Sequence, residues 1–117
     1  MRWVELHPDA EKDEDALRRN SKTTWWAMQA RLQVLAQPGG RVLGELVAGK
    51  AVAGRLMSSG VQRFNASGEE QLAVLILYVE RRDRDGIGVL HLCEDDEDFL
   101  DPAYEVAHQR LEDKPDW

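Results

Sequence analysis

The most regular pattern of apolar positions lies in residues 23–37, TTWWAMQARLQVLAQ. Apolar side chains recur there at the three- and four-residue spacing of one helix face, at Trp25, Met28, Leu32 and Leu35. Ser21 or Thr23 offers an oxygen that can cap the free amides of the first turn, and Pro-Gly-Gly at 38–40 ends the pattern. The sequence therefore predicts a helix over 23–37.

A strand pattern replaces the helical one at residues 71–80, QLAVLILYVE, a short run rich in branched and aromatic side chains. Residues 87–93, IGVLHLC, form a second run of the same kind. Asp85-Gly86 between them is a pair that two-residue hairpin loops favour, because both loop positions need positive φ. We predict an antiparallel hairpin over about 71–93 at the centre of the sheet.

This loop implies a register in which Glu80 lies opposite His91 and Tyr78 lies opposite Cys93. Side-chain alternation then sorts the strands into one face with Leu72, Val74, Ile76, Tyr78, Glu80, Val89, His91 and Cys93, and another with Ala73, Leu75, Leu77, Val79, Leu90 and Leu92. Both faces are largely apolar, and such a sheet is covered on both sides. In so short a chain the second cover comes from another helix or from a second subunit, which favours a homodimer.

Residues 41–59, RVLGELVAGKAVAGRLMSS, allow two structures. A helix would contain three internal glycines, each of which costs about 1 kcal/mol relative to alanine. A hairpin would place strands on either side of a loop at Ala48-Gly49-Lys50. We favour the hairpin, and we expect residues 61–65 to add a short strand.

The two ends of the chain are rich in charge. Residues 1–20 are expected to form a charged extension. Within it, residues 8–19 have apolar side chains at Ala10, Ala16 and Leu17 alone and are expected to form either a solvated helix or a loose arm. Asp101-Pro102 suits the start of a helix over 102–113, because aspartate caps free amides and proline fits the first turn. We thus predict a charged N-terminal extension followed by a single α+β domain at 21–117, with an N-terminal helix, an antiparallel sheet and a C-terminal helix.

Composition and charge narrow the class of protein. The chain has 117 residues and a net charge of −7, with acidic ends around a basic middle. Its longest apolar run, residues 72–79, is far shorter than the roughly 20 residues of a membrane-spanning helix, and its single cysteine cannot form an internal disulfide. We therefore expect a cytoplasmic protein, and the excess of arginine over lysine favours a bacterial source. The net acidity argues against simple nucleic-acid binding.

The densest charge lies in HLCEDDEDFLDP, residues 91–102, where five consecutive acids precede Phe99: Glu94, Asp95, Asp96, Glu97 and Asp98. Carboxylates can hold Mg²⁺ for phosphate chemistry, but such sites draw ligands from separate elements, and no phosphate-binding loop motif accompanies this run. Two interpretations are left open. The run is either a solvated connection whose acids suit the start of the following helix, or a docking surface for a basic partner.

Three weaker candidates lie nearby. Asp83–Gly86 resembles part of a calcium-binding EF-hand loop, but the last ligand position would fall on a leucine, so a hairpin turn is the better interpretation. His91 and Cys93 share a strand face and could begin a zinc or thiol site, but no paired cysteine or histidine motif accompanies them. The arginines at 81, 82 and 84 could bind phosphate or an acidic partner. We predict no cofactor, no metal and no catalytic residue.

Tryptophan is unusually frequent, with four residues in this chain, and it is enriched at the energetic centres of protein–protein interfaces. Trp25 and Trp26 lie about 100° apart on a helix, so one can be buried while the other lies at its edge. Trp3 and Trp117, near the ends of the sequence, are expected to pack together or onto a partner.

These observations favour a non-enzymatic module that binds a partner protein and inhibits or sequesters it, as immunity, anti-activator or phage-inhibitor proteins do. The expected contact residues are Trp25, Trp26, Glu94, Asp95, Asp96, Glu97, Asp98, Phe99 and Trp117. One alternative is a small enzyme, or a ligand- or metal-binding domain, that uses His91, Cys93 and nearby carboxylates. Another is a nucleic-acid-linked regulator that uses the arginine-rich middle of the chain.

Overall fold

The fold is that of a computed structural model, in which residues 2–46, 55–64, 66–94 and 100–117 are described. Its elements are strand β1 (Trp3–Leu6), helices α1 (Pro8–Asn20) and α2 (Lys22–Leu35), a 3₁₀ helix (Pro38–Leu43), strands β2 (Glu45–Leu46), β3 (Met57–Phe64), β4 (Glu70–Glu80) and β5 (Gly86–Glu94), and helix α3 (Leu100–Glu112). The predicted α+β class is confirmed. The helices predicted at 23–37 and 102–113 are present as α2 and α3, with small shifts at their ends.

The five strands form one mixed sheet in the order β1-β5-β4-β3-β2. Strand β1 runs parallel to β5, and the other neighbouring strands are antiparallel. The parallel strand corrects the wholly antiparallel sheet of the prediction. It was not expected because residues 1–20 were placed outside the sheet.

Those N-terminal residues belong to the sheet and its core rather than forming a loose arm. Strand β1 lies at one edge of the sheet, and Ala10 and Leu17 of α1 are buried. These two residues are two helical turns apart, so they share one face of a helix whose other faces are charged. Val4 and Leu6 of β1 pack against the same core and help to seat α1.

Helices of the same chain cover the sheet on both faces. Helices α1 and α2 cover one face, in a core that contains Ala10, Leu17, Met28, Leu32, Leu35, Val74, Ile76 and Tyr78. Helix α3 covers the other, in a core that contains Leu75, Leu77, Val79, Leu90, Ala103, Ala107, Leu111 and Trp117. The second cover that the sequence required is therefore a helix, and the apolar second face is not a reason to expect a second subunit.

The β4–β5 hairpin is present, but its predicted register is wrong. The strands pair so that the loop spans residues 81–85 rather than two residues, and Glu80 does not face His91. Gly86 is the first residue of β5, where it pairs with Trp3 of β1, and is not part of a two-residue turn. A β-carbon on Gly86 would lie 2.5 Å from the carbonyl oxygen of Trp3, so glycine allows β1 to approach β5 here.

A bulge in the same hairpin inverts the predicted faces near its open end. The β4–β5 register shifts between Leu77 and Tyr78, and a one-residue shift moves every later side chain to the opposite face. Leu92 therefore lies in the core with Ile76, while Cys93 packs against the core under α3.

The second predicted hairpin, within 41–59, is present in part. Strand β2 pairs antiparallel with the start of β3, as that hairpin requires. Its first strand is shorter than predicted, because residues 41–43 belong to the 3₁₀ helix, and its second strand, β3, begins only at Met57. The loop predicted at Ala48-Gly49-Lys50 lies outside the described residues. Strand β3 runs on to Phe64 and so includes most of the short strand predicted at 61–65.

Candidate protein-binding groove

A groove lies between the edge strand β1 and helix α2, with a volume of about 460 Å³ and a mainly apolar lining. Strand β1 supplies Val4 and Leu6, and α2 with the turn after it supplies Leu32 and Ala36. Glu14 adds a carboxylate from α1. The groove exists because α2 covers the core side of the sheet while β1 has a sheet neighbour on one side only.

The strand side of the groove is an open backbone edge. The amides of Trp3 and His7 donate to carbonyl oxygens on the β5 side, at 3.0 and 2.8 Å. Backbone groups of successive residues in a strand point in opposite directions, so those of Val4 and Leu6 point away from the sheet. Within the described part of the chain, these outward groups have no hydrogen-bond partner.

Arg2 fastens the start of β1 to the end of α2. Its side chain is 3% exposed, pairs with the carboxylate of Glu80 and donates to the carbonyl oxygen of Leu35. Its backbone amide donates to the carbonyl oxygen of Ala36 at 2.7 Å. A cation here also offsets the partial negative charge of the last carbonyls of α2. The ion pair with Glu80 cancels the charge of Arg2 beside the groove.

Glutamines line the helical wall of the groove. Gln29 and Gln33 lie one turn apart on α2, and Gln37 follows just after the helix. Gln29 donates from Nε2 to Glu14 Oε1 at 2.7 Å, and Trp25 donates from Nε1 to the same oxygen at 3.4 Å. Both donors are neutral, so these contacts hold Glu14 in place without cancelling its charge.

The tryptophans differ sharply in exposure. Trp26 is 65% exposed and Trp3 is 64% exposed. Trp25 is half-buried, and its ring meets that of Trp26 edge to face with centroids 4.9 Å apart. Trp117 is only 2% exposed and lies so close to β5 that a β-carbon on Gly88 would be 2.1 Å from its ring. Trp117, expected as a contact residue, is therefore part of the core, and it does not share the exposure of Trp3.

The acidic run begins at the end of β5. Glu94 is the last residue of β5 and is exposed. Residues 95–99, which complete the run and include Phe99, lie outside the described residues. The docking surface and the solvated connection therefore both stay predictions for this segment.

A polar cluster closes the edge of β5 beyond the end of β1. One oxygen of Asp13, Oδ2, accepts hydrogen bonds from His91 Nδ1 and Arg110 Nη1, each at 2.7 Å, and from the amide of Leu92 at 3.3 Å. Arg110 also donates to the carbonyl oxygen of Leu90 at 2.9 Å. Burial alone raises the pKa of Asp13, but the hydrogen bonds and charges of His91 and Arg110 outweigh it and hold that pKa below its usual value.

The predicted position of Glu80 opposite His91 is therefore wrong. Glu80 forms an ion pair with Arg2, and His91 forms a hydrogen bond with Asp13. The neighbouring thiol, Cys93 Sγ, lies 3.3 Å from the carbonyl oxygen of Glu94. Among the described residues there is no group of three or more histidine, cysteine, aspartate or glutamate side chains that could hold a metal ion.

The arginines of the β4–β5 loop are held by acids and aromatic rings. Arg81 pairs with Asp83 and with Glu5 of β1, and its guanidinium lies 5.2 Å from the ring centre of Trp117. The guanidinium of Arg84 lies 5.8 Å from the ring centre of Trp3. Asp83 thus serves as a partner for arginine within a hairpin loop, which fits the interpretation of this segment as a turn.

The residues that build the groove were not found from the sequence. One signal could have indicated the strand. In WVEL, residues 3–6, the apolar side chains of Val4 and Leu6 alternate with Trp3 and Glu5. Four residues are too few to separate a strand from a loose segment by pattern alone, and the pairing with β5 spans most of the chain.

None of the described helices is long and apolar enough to cross a membrane. Comparison of the chain with protein-family models, with curated proteins and with solved structures finds no match, so no family is assigned and the geometry above is what bears on function.

Proposed function

We propose that the protein is a non-enzymatic interaction module that binds a partner protein and inhibits or sequesters it. The observation that carries this proposal is the open edge of β1 beside a mainly apolar groove. Proteins that do not use a sheet edge usually cover it or guard it with charge, because an exposed edge pairs readily with another chain. Here, among the described residues, the outward backbone groups of Val4 and Leu6 have no hydrogen-bond partner, and both residues line the groove.

The exposed tryptophans support the same proposal. Trp3 belongs to the edge strand and is 64% exposed, and Trp26 lies on the helix that forms the other wall. Tryptophan contributes large contact area at protein interfaces. Two such side chains on the elements that bound one groove are more useful for binding another protein than for stabilising this chain alone.

The alternatives receive less support from the contacts of their key residues. A thiol or metal site would need His91 available, but Asp13 and Arg110 hold it. Nucleic-acid binding would need free cationic charge, but Arg81 is paired with two carboxylates. The overall charge of −7 is also unfavourable for approach to phosphates.

Affinity capture from the source cell tests the proposal, with Gln33→Arg as the groove variant. Arginine at this exposed position of α2 keeps a good helix former but crowds the groove with a longer, charged side chain. Gln109→Arg makes the same change on the exposed face of α3 and is the matched control. We expect a specific partner with the natural protein and with Gln109→Arg, and much less of it with Gln33→Arg.

The same partner, once purified, should lose its activity or its ability to bind its own ligands when the protein is added in equimolar amount. Capture of no specific partner, or of a partner that Gln33→Arg retains fully, would contradict this proposal. The same proposal includes a homodimeric state, a bacterial source and a cytoplasmic location. Light scattering tests the homodimer, and cell fractionation tests the location.

A further inference from the structure

We infer that the groove binds an extended segment of the partner protein, added as a further strand beside β1, with alternating apolar side chains and a lysine or arginine placed at Glu14. This inference rests on the proposed function and names the chemistry of the partner at that site. Binding by strand addition takes its affinity from main-chain hydrogen bonds and its selectivity from pockets for alternate side chains.

The first step concerns the inner edge of such a segment. The outward backbone groups of Val4 and Leu6 are two residues apart, which in a strand is about 6.6 Å. Arg2, the preceding residue with an outward amide, already donates to the carbonyl oxygen of Ala36. An added strand therefore starts beyond Arg2 and pairs with Val4 and Leu6.

The second step concerns the outer edge of the segment, which would otherwise be unpaired against the helix. Gln29 and Gln33 on the opposite wall are one helical turn apart, or about 6 Å along the axis. This rise is close to the two-residue repeat of a strand. The two side-chain amides, each able to donate and accept, can therefore meet successive backbone groups on the outer edge.

The third step concerns the side chains of the segment. The groove between the two rows of polar groups is lined by Val4, Leu6, Leu32 and Ala36. Side chains of an extended segment alternate between faces, so every second one enters this lining. Apolar residues at alternate positions are therefore favoured.

The fourth step concerns charge. Arg2 is neutralised by Glu80, whereas the contacts of Glu14 are with the neutral donors Trp25 and Gln29. The charge that the groove presents is therefore that of the Glu14 carboxylate. A basic side chain on the segment complements it, and an acidic one is repelled.

The test is selection of binders from a random dodecapeptide display library on the immobilised, full-length protein, followed by affinity measurement of the enriched peptides. Three variants are compared with the natural protein. Val4→Pro removes one outward amide, Glu14→Gln removes the charge, and Gln33→Arg crowds the helical wall without touching the strand. Gln109→Arg is the matched control, and circular dichroism verifies the fold of each variant.

We expect enriched peptides with alternating apolar residues and a basic position. Their affinity should fall about tenfold or more with Val4→Pro and with Gln33→Arg, since each removes main-chain pairing or access. With Glu14→Gln the affinity should fall about threefold to tenfold. This fall should be smaller at high salt, because salt screens the charge of Glu14. Binding should also slow hydrogen exchange at the amides of Val4 and Leu6.

The inference would be overturned by no enrichment of peptides, by enriched peptides that bind Val4→Pro and Gln33→Arg as tightly as the natural protein, or by a preference for acidic peptides. Self-association that Val4→Pro abolishes would overturn it in favour of a second copy of this chain. The proposed function is judged separately by capture of the folded partner. If Val4→Pro captured the partner as well as the natural protein does, the proposed function would be supported and strand addition would be rejected.

Discussion

At Asp13 a single carboxylate oxygen joins three elements. It accepts hydrogen bonds from His91 and from the amide of Leu92, both in β5, and from Arg110 in α3, while its own backbone belongs to α1. Hydrogen bonds to an ionised group are stronger than those between neutral groups. Because these donors also stabilise the negative charge, the pKa of Asp13 stays low although burial opposes ionisation.

We predict that Asp13→Asn lowers the free energy of unfolding at neutral pH by about 1–3 kcal/mol, since three hydrogen bonds lose their charged acceptor. A carboxyl group with a lowered pKa stabilises the folded state above its unfolded pKa of about 3.9, and this contribution is lost as the pH falls through the folded value. The stability gap between the natural protein and the variant should therefore close below about pH 4.

Urea denaturation across this pH range measures the gap. Asp15→Asn is the matched control, because Asp15 lies on the same helix and pairs with nearby Arg18 on the exposed side. A gap for Asp13→Asn that is no larger than that of the control would contradict the assigned role.

Gly88 gives a second prediction at the residue scale. A β-carbon there would lie 2.1 Å from the ring of Trp117, so Gly88→Ala must displace a buried tryptophan. We expect a loss of about 1–3 kcal/mol, as is usual when a packed core is overfilled, together with a shift in tryptophan fluorescence. Gly39→Ala is the control, because no atom of the described residues lies within 4 Å of the added carbon. Equal stability of the two variants would show that Trp117 is not packed on β5.

At the scale of elements, β1 combines two different edges. Its odd-numbered residues direct their amides to β5, and its even-numbered residues direct theirs outward. Proline lacks an amide hydrogen and is tolerated in strands where that hydrogen faces outward. The two edges can therefore be distinguished by proline at neighbouring positions.

We predict that Val4→Pro lowers the unfolding free energy by no more than about 1.5 kcal/mol, because it removes an unpaired donor and only alters the packing of a partly buried side chain. Glu5→Pro should cost about 2 kcal/mol more, because it removes a donor that faces β5. Thermal or urea denaturation measures both, and Glu5→Gln separates the loss of the Arg81 pair from the backbone effect. If Val4→Pro were the more damaging variant, the orientation of β1 would be wrong.

The elements differ in how far the sequence could predict them. Helix α2 and strands β4 and β5 were predictable because their apolar patterns are long and local. The bulge near Leu77 was not, because both faces of the hairpin are apolar, so a change of face leaves no mark in its apolar pattern. The groove was missed for a related reason. Strand β1 is short and pairs with a distant strand, and the polar residues Gln29 and Gln33 look like an ordinary solvated helix face until β1 is placed beside them.

At the scale of the whole molecule, the helices cover both faces of the sheet, and both of its edges carry exposed apolar side chains. At the edge opposite β1, Phe64 is 74% exposed and Leu46 is also exposed. We therefore predict that the proposed homodimer, if formed, uses the β2–β3 edge and leaves β1 free.

Light scattering should then give twice the chain mass of 13.3 kDa at micromolar concentration, and Phe64→Ser should return the mass to that of one chain. Trp26→Ser is the control, because it removes an equally exposed aromatic ring on α2. A natural protein that stays at the mass of one chain would remove the dimer from the proposal.

The cluster at Asp13 also has a consequence for the order of events during synthesis. Its bond to Arg110 joins residues 97 positions apart. Strand β1 likewise pairs with β5, which lies far along the chain and is synthesised much later. The ribosome therefore releases β1, α1 and α2 long before their final contacts exist. Chains dominated by such distant contacts fold slowly, and until β4 and β5 emerge the apolar side of α2, which packs on them, is open to chaperones.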